Sequence, residues 1–427
     1  MWIVPSIYVV ASIALAFVLV RWDQRSPITT SWTVSAASVS TALSALGSGM
    51  IAFTGFVMSV VLLIVQFGSS QFSPRFLRWF RSEPTLKHAP GTFIATFLFA
   101  LIATSMTGRG ANDIVPYRTV LFAFFLALAS IGWFLALVAR TSDNLRVAHV
   151  TRRVDAQARE VFDVVYPQTH ADVRAAASAV EHIAPLDPVQ TLRRSGVGAI
   201  LTSFDRRALV RLAIAHHATI ELVASVGDHV PTGGAVLHVY GPTAISEHKL
   251  RTGLYFGDER TPEDDPAFTL RMLVDVAIKA LSPAVNDPTT AVQALHAIED
   301  VLRYASSRHL SIGVVTDDNS QARLIYPTPT WADLVSLALD EIRSFGAGQY
   351  QVARRMRSLI DDLLEELPDD RRPVLETQLA LLDDAVDAAF RPSQRAHALV
   401  PDRQGLGLGR VARRATESPI AGGSTTV

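Results

Sequence analysis

The chain has 427 residues, of which 49% are apolar and only 19% are charged, and it contains no cysteine. Lysine and arginine number 39 against 40 acidic residues, so the formal net charge is −1. Because soluble domains usually carry about 25% charged residues, part of this chain is predicted to lie outside water. The balanced charge argues against a nucleic-acid partner, and the missing cysteines exclude disulfides and thiol catalysis.

Four stretches near the start of the chain are long and apolar enough to cross a bilayer, which takes roughly 20 helical residues. They are residues 1–20, 44–67, 91–107 and 119–139, and none of them contains Asp, Glu, Lys or Arg. We therefore predict a transmembrane domain over residues 1–147, with four spans in a lipid bilayer. The first stretch lacks the basic start and the cleavage site of a signal peptide, so we expect it to be retained.

Basic residues predict the orientation, because cytoplasmic loops are enriched in Lys and Arg. The segments that follow the second and fourth spans hold nine such residues, and those on the opposite side hold four. We therefore expect a multi-pass protein of the cytoplasmic (inner) cell membrane with both termini in the cytoplasm.

Residues 26–74 contain no charged side chain until Arg75, and Ser, Thr and Ala dominate their first half. Small residues recur there at every fourth position, at Ala37, Thr41, Ala45 and Gly49. Such a stripe lets two helices approach closely. The contact lies either among the protein's own spans or between subunits that line a water-filled path, and the second interpretation predicts a homo-oligomer.

Beyond the spans, residues 148–195 predict a helical stalk, and residues 196–245 predict a small β-rich subdomain. Its turn at residues 226–234 resembles the Gly-Asp hairpin of biotinyl and lipoyl domains, so we expect a barrel-like arrangement. The lysine that such domains modify is missing, because no lysine occurs between Val210 and Ser246. A carrier function is therefore discarded.

Residues 246–392 predict a mainly helical subdomain with one hairpin, and residues 393–427 predict a disordered tail. Three Asp-Pro pairs predict helix starts, because Asp caps a helix and Pro fits its first turn. They are Asp187-Pro188, Asp265-Pro266 and Asp287-Pro288. The predicted fold is a membrane protein in which an α-helical transmembrane bundle of four spans precedes an α+β cytosolic domain.

Two loops concentrate polar side chains. The acidic stretch 257–265 is interpreted as a solvated loop before a helix or as a metal site, although its spacing matches no calcium-loop pattern. The loop 281–291 is interpreted as a helix–helix corner or as a ligand or subunit contact. The candidate contacts are Glu259, Arg260, Thr261, Ser282, Asn286, Asp287 and Thr290.

Motifs for catalysis are missing from the sequence: it has no phosphate-binding loop, nucleophile elbow or dinucleotide fingerprint. We therefore expect no enzymatic activity, no cofactor and no metal. The leading hypothesis is a homo-oligomeric channel or permeation protein gated by its cytosolic domain. The alternative is a membrane-anchored sensor or scaffold that binds a cytosolic ligand or protein.

Motifs in two parts of the chain carry a family resemblance. They are Gln71-Phe72-Ser73-Pro74-Arg75, Glu259-Arg260-Thr261 with Asp265-Pro266-Ala267-Phe268, and residues 281–291. Over about residues 30 to 390 the chain resembles the bacterial predicted membrane proteins called domain of unknown function 2254. The resemblance implies a membrane protein with a cytosolic domain, and it implies no assigned reaction. Gln71, Ser73, Pro74 and Arg75 are interpreted as a membrane-interface motif, and Asp258 stands where family members often have arginine.

Overall fold

The computed structural model describes residues 3–27, 35–71, 84–107, 115–144, 147–170, 187–310 and 313–407. The chain divides into two compact units, a membrane unit (Met1–Val150) and an α+β unit (Thr151–Val427). Four apolar helices occupy the first unit, and the second mixes helices with sheets. The predicted order of a helical membrane bundle followed by an α+β domain is therefore confirmed.

The membrane unit is built from four helices that are long and apolar enough to cross a membrane. They are α1 (Ile3–Arg25), α2 (Ala36–Gln71), α3 (Pro84–Thr107) and α4 (Tyr117–Asn144). Each helix is longer than the charge-free stretch that predicted it. Lys87 near the start of α3 and Asp23 near the end of α1 belong to the helices, although they lie outside the predicted spans.

Helix α3 is the centre of the membrane unit, because half of its apolar window is buried and the other three windows are each 17% buried. Gly91 permits a close approach by α1. A Cβ at this position would lie 3.0 Å from Cδ2 of Tyr8 and 3.2 Å from Cα of Pro5. Phe93 and Phe99 are fully buried on the same helix, so small and large residues alternate along the packed surface.

An ion pair that the sequence did not predict joins the end of α1 to the start of α4. Asp23 is only 1% exposed, and it accepts a hydrogen bond from Arg118 Nη1 at 3.1 Å. The backbone N–H and the hydroxyl of Thr119 also donate to this carboxylate, at 3.0 and 2.9 Å. Because Thr119 lies in the first turn of α4, α1 supplies the cap of α4.

The α+β unit contains eight strands in the part of the chain that the structure describes. Its elements are α5 (Val147–Val165), β1 (Gln190–Arg193), β2 (Ala199–Phe204), α6 (Arg206–Ala215), β3 (Thr219–Leu222), β4 (His229–Val230), β5 (Ala235–Tyr240), α7 (Glu247–Arg251), β6 (Leu254–Gly257), α8 (Pro266–Ala280), α9 (Pro288–Ser306), β7 (Val314–Thr316), β8 (Ala322–Ile325), α10 (Trp331–Gly346), α11 (Tyr350–Glu366), α12 (Arg372–Ala389) and α13 (Pro392–Ala398). Helix α5 begins within the membrane unit and continues into this one.

The strands form two sheets, with the orders β1-β5-β3-β8-β7 and β4-β2-β6. Neighbouring strands are antiparallel except β3 and β8, which run parallel with Ile220 opposite Leu324. The sheets share one hydrophobic core, in which Leu192, Leu201 and Leu237 are fully buried.

The barrel-like arrangement expected for residues 196–245 is not confirmed, because neither sheet closes on itself within residues 187–310 and 313–407. Strand β3 pairs with β5 on one side and with β8 on the other. Both of its edges are therefore occupied, and β2 pairs with β4 and β6 instead. The turn that suggested a barrel does have the expected glycine geometry, with positive φ angles at Gly227 and Gly233.

Two segments differ from their sequence interpretation. Asp187-Pro188 does not start a helix, because the chain reaches strand β1 two residues later. Helix α5 covers the first part of the predicted stalk, and Val154, Ala158 and Phe162 on it are buried.

The helices α8 to α12 pack side by side, with α8 against α9 and α10, and α11 against α9 and α12. Residues 393–407 were predicted to be disordered, and this prediction is wrong for them. They continue α13 and fold back, because Arg403 pairs with the buried Asp362 of α11. The carboxylate of Asp402 accepts hydrogen bonds from the N–H groups of Gln404 and Gly405, both at 3.1 Å. Residues 408–427 lie outside the described part.

Candidate functional site

A cavity of about 580 Å³ lies within the α+β unit. It is formed by the end of α5, the end of β2, the turn before β4, the loop before α8, the segment after β8 and the first turns of α10. Its lining residues are Val164, Val165, Tyr166, Ser203, Phe204, Arg206, Ser225, Val226, Asp228, Arg260, Asp264, Asp265, Pro266, Ala267, Tyr326, Pro327, Thr328, Pro329, Asp333, Leu334 and Leu337. The volume is in the range of pockets that bind small molecules.

Asp265 and Arg260 form an ion pair in the wall of the cavity. Asp265 is 3% exposed and caps α8, since its Oδ1 accepts from the N–H of Phe268 at 2.9 Å. Burial raises the pKa of this carboxyl, and the hydrogen bond from Arg260 opposes the shift. The pair therefore keeps a charge in a place where an isolated carboxylate would be strongly disfavoured.

Gly227 leaves room for the Arg260 side chain. Its φ is +94°, and a Cβ on this residue would overlap the guanidinium group. The ring of Phe268 also lies near the guanidinium group, with its centre 5.6 Å from Cζ of Arg260. Glycine is thus required at position 227 both for its backbone conformation and for the close approach of Arg260.

Tyr166 is the most unusual residue of the lining. It is fully buried, and its hydroxyl has no hydrogen-bond partner within the described residues. Burial raises the pKa of this phenol, so the group stays neutral and can both donate and accept. Leaving a buried hydroxyl unpaired costs about 1–3 kcal/mol, a cost that a bound polar group would remove.

A second tyrosine extends this polar corner. Tyr326 is 7% exposed, and burial raises its pKa while a hydrogen bond from Arg206 opposes the shift. The ring of Phe204 meets the ring of Tyr326 edge to face, with centroids 5.1 Å apart. Tyr166 and Tyr326 are close enough to influence each other electrostatically.

The charges in the lining are mostly negative, with two arginines against four aspartates. Asp228 accepts from the N–H of Ser225 at 2.8 Å, and its charge contributes to the raised pKa of Asp265. Asp333 is occupied by the cap of α10, where the N–H and hydroxyl of Thr330 donate to it. Asp264 makes no hydrogen bond or ion pair with the residues that the structure describes.

The structure separates the two candidate loops of the sequence. Arg260 lies in the cavity wall, and its neighbours Glu259 and Thr261 are outside the lining. Asp265, predicted only as a cap, and Asp264 line the cavity as well. Within the described residues, no group of three or more His, Asp or Glu side chains is arranged to hold a metal ion.

The loop 281–291 forms the corner between α8 and α9. Asp287 caps α9, as its Asp-Pro pair predicts, accepting from the N–H of Thr290 at 3.1 Å and its hydroxyl at 2.6 Å. Ser282 donates to the carbonyl of Lys279 at 2.8 Å, and Asn286 takes a φ of +48°. None of these four residues lines the cavity, and a contact role for them stays a prediction.

The small-residue stripe lies on the exposed face of α2. Ala37, Thr41, Ala45 and Gly49 are all exposed within the single chain, and nothing lies within 4 Å of a Cβ built on Gly49. The opposite face, with Val39 and Leu43, is buried against the other helices. A second groove of about 470 Å³ lies along the exposed face and is lined by Ser40, Thr41, Ser44, Ala45, Ser48 and Thr104.

The predicted interface motif falls at the edge of the described residues. Helix α2 ends at Gln71, and Ser73, Pro74 and Arg75 lie outside the described part.

Sequence reasoning missed Tyr166, Tyr326 and Asp228 as site residues. Tyr166 directly follows an amphipathic helix, whose apolar face is buried, and precedes Pro167. That local signal could have suggested burial, and it could not have suggested which segments meet there.

These features define a membrane protein with four candidate spans and an α+β unit that carries a cavity of small-molecule size. The chain belongs to the family described as "Predicted membrane protein (DUF2254)", whose family model matches residues 1–362. The resemblance inferred from the motifs is thereby confirmed.

Two mycobacterial relatives are similar to this chain. An uncharacterized protein of Mycobacterium bovis is 29% identical over 379 residues, which cover 86% of this chain and 70% of the relative. An uncharacterized protein of Mycobacterium tuberculosis matches with the same identity and coverage. No solved structure matches the chain.

Proposed function

We propose that this protein is a membrane-anchored sensor whose α+β unit binds a small molecule in the cavity beside Tyr166. The observation that carries the proposal is the fully buried Tyr166 hydroxyl without a partner. Several of the other buried atoms without partners belong to arginines that bond through another nitrogen, as Arg354 and Arg355 do. Tyr166 lines a cavity large enough for a ligand, and no enzymatic step is assigned to it.

The test compares small molecules that stay bound to the full chain and to a variant with a filled cavity. Ala267→Trp places a bulky side chain in the lining, and Ala380→Trp places the same side chain on the exposed face of α12. Protein purified in nanodiscs is denatured, and the released molecules are identified by mass spectrometry. We expect a compound enriched on wild type and on Ala380→Trp and depleted on Ala267→Trp. Equal recovery from all three proteins would contradict the proposal.

The orientation belongs to the same proposal: the α+β unit and both termini face the cytoplasm. The support is the excess of nine basic residues against four on the two sides of the spans. Since the chain has no cysteine, single cysteines can be labelled cleanly. In intact cells Ser82→Cys should resist an impermeant thiol reagent and Ala111→Cys should react, and the reverse pattern would overturn this orientation.

A second candidate function is permeation through a homo-oligomer, with the exposed face of α2 at the subunit contact. It is favoured by the hydroxyl-lined groove on that face and by the buried, unpartnered hydroxyl of Thr104 within it. Hydroxyl groups can wet a path without placing a charge in the bilayer. The stripe of small residues leaves room for a second helix.

Gly49→Leu tests this candidate, and Gly55→Leu is the matched control. Both glycines have open space where a Cβ would lie, and they point to different faces of α2 because they are six residues apart. We expect the detergent-solubilised mass to fall for Gly49→Leu alone. A monomeric wild type would remove the candidate, and a solute flux in liposomes from wild type that Gly49→Leu abolishes would support it.

A further inference from the structure

We propose that the cavity of the α+β unit takes an organic cation, an ammonium group on a small apolar or aromatic body. This inference rests on the proposed function, because it names the ligand class of the same cavity. It is carried by the charges of the lining, by the aromatic rings and by the unpartnered Tyr166 hydroxyl.

The charges of the lining leave an excess of carboxylate. Arg260 is paired with the buried Asp265, so these two charges largely cancel. Arg206 is exposed and donates to Tyr326. Asp228 and Asp264 then face the cavity without a cationic partner among the described residues, and a cation is the complementary ligand.

The aromatic residues of the lining can form cation–π interactions, which favour a cation over a neutral or anionic ligand. Tyr166, Phe204 and Tyr326 are among the lining residues of the cavity, and aromatic faces attract ammonium groups. The neutral Tyr166 oxygen can accept an N–H from the same ammonium group. Its missing hydrogen bond is thereby supplied by the ligand.

An anion is the competing ligand, because the terminal nitrogens of Arg260 have no partner within the described residues. Two observations disfavour it. Asp228 lines the same cavity as Asp265 and Arg260, so an oxyanion at Arg260 would meet both carboxylates. The guanidinium is also engaged by Asp265 through its Nε, so turning it toward a ligand would weaken that buried ion pair.

The remaining walls define the body of the ligand. The apolar lining residues favour a ligand that buries hydrocarbon against them; they are Val164, Val165, Pro266, Leu334 and Leu337. A purely inorganic cation would leave these walls unused. An amine with an aromatic or branched aliphatic body fits both parts of the cavity.

The test uses three probes with the same aromatic body and different head groups: phenethylammonium, hydrocinnamate and phenylpropanol. Each is titrated calorimetrically into the full chain in nanodiscs. We expect phenethylammonium to bind about tenfold more tightly than either of the others. Asp264→Asn and Asp228→Asn should weaken the cation several-fold and leave phenylpropanol unchanged. Asp318→Asn, in the exposed turn between β7 and β8, is the control and should change neither.

Tyr166→Phe isolates the hydroxyl, because it keeps the ring and removes only the oxygen. It should weaken phenethylammonium and also stabilise the unliganded protein, since a buried unpaired group is gone. Hydrocinnamate that binds as tightly as the cation would overturn the ligand class and leave the proposed function standing. Failure of all three probes to bind would also overturn the ligand class, and the proposed function would then be judged by the molecules recovered from wild type and Ala267→Trp.

Discussion

The two units of this protein satisfy their polar groups in different ways. In the membrane unit, hydroxyls mostly bond to their own helix: Thr54 donates to the carbonyl of Met50 at 2.6 Å and Thr92 to that of His88 at 3.0 Å. In the α+β unit, arginines and carboxylates form networks, as where Glu299 pairs with both Arg303 and Arg355. The difference follows from the solvent, because charge is costly in lipid, whereas a domain in water can bury a carboxylate such as Glu299 when arginines pair with it.

Asp23 is the exception to this pattern in the membrane unit, because it is a buried charge. We expect its substitution to destabilise the protein more than the other changes considered below. Asp23 receives four hydrogen bonds from Arg118 and Thr119. We expect Asp23→Ala to cost about 3 kcal/mol of stability, because it leaves Arg118 and the start of α4 without their partner. Thermal unfolding and yield of the full chain in detergent measure the loss.

Asp155→Ala is the control in the other unit. Asp155 pairs with Arg159 on the surface of α5, with side chains 21% and 42% exposed. Removing such a pair should cost about 0.5 kcal/mol or less. An equal loss of stability in Asp23→Ala and Asp155→Ala would contradict the claim that a charged pair matters more in the membrane unit than on the surface of the α+β unit.

Local patterns in the sequence predicted the elements, and distant pairings remained out of reach. The apolar stretches predicted all four spans, and Asp265 and Asp287 predicted helix caps because each cap is made within four residues. The pair Asp23–Arg118 joins residues 95 positions apart, and no sequence period marks it.

The cavity shows the same limit more strongly. Tyr166, Asp228, Arg260 and Tyr326 come from four separate segments, and of these the sequence motifs indicate only Arg260. The parallel pairing of β3 with β8, which brings the segment of Tyr326 beside β3, bridges about 100 residues. The hydrophobic pattern of β8 indicates that the strand is buried, but it does not specify which strand pairs with it.

A substitution at the corner between α8 and α9 should have an intermediate effect on stability. It tests how much a single helix cap contributes within the α+β unit. Asp287→Ala removes the cap of α9 and should cost about 1 kcal/mol, and Asp287→Asn should keep most of it because the amide oxygen still accepts. Hydrogen exchange of peptides covering α9, in the full chain, reports the change. Unaltered exchange in Asp287→Ala together with lost ligand binding would move this loop from a structural role to a contact role.

The smallest effect concerns pH, because a network of charged side chains titrates and hydroxyl bonds do not. His296 lies on α9 under the residues that follow α13, where Gly405 approaches its ring. Burial lowers the pKa of His296, and nearby Arg355 lowers it further, while Glu299, the backbone of Arg403 and Asp402 oppose the shift. The folded chain therefore resists protonation at this site.

The sign of the pH dependence follows from that lowered pKa. Below about pH 6.5 the unfolded chain takes up a proton that folded His296 refuses, so stability falls as the pH drops through this value toward the folded pKa. We expect His296→Gln to lose less stability than wild type between about pH 7 and about pH 5, measured by chemical denaturation of the full chain with hydrogen exchange of residues 399–407. His248→Gln, on the exposed surface of α7, should behave as wild type. If His296→Gln keeps the full wild-type loss, other groups carry the pH dependence of this unit.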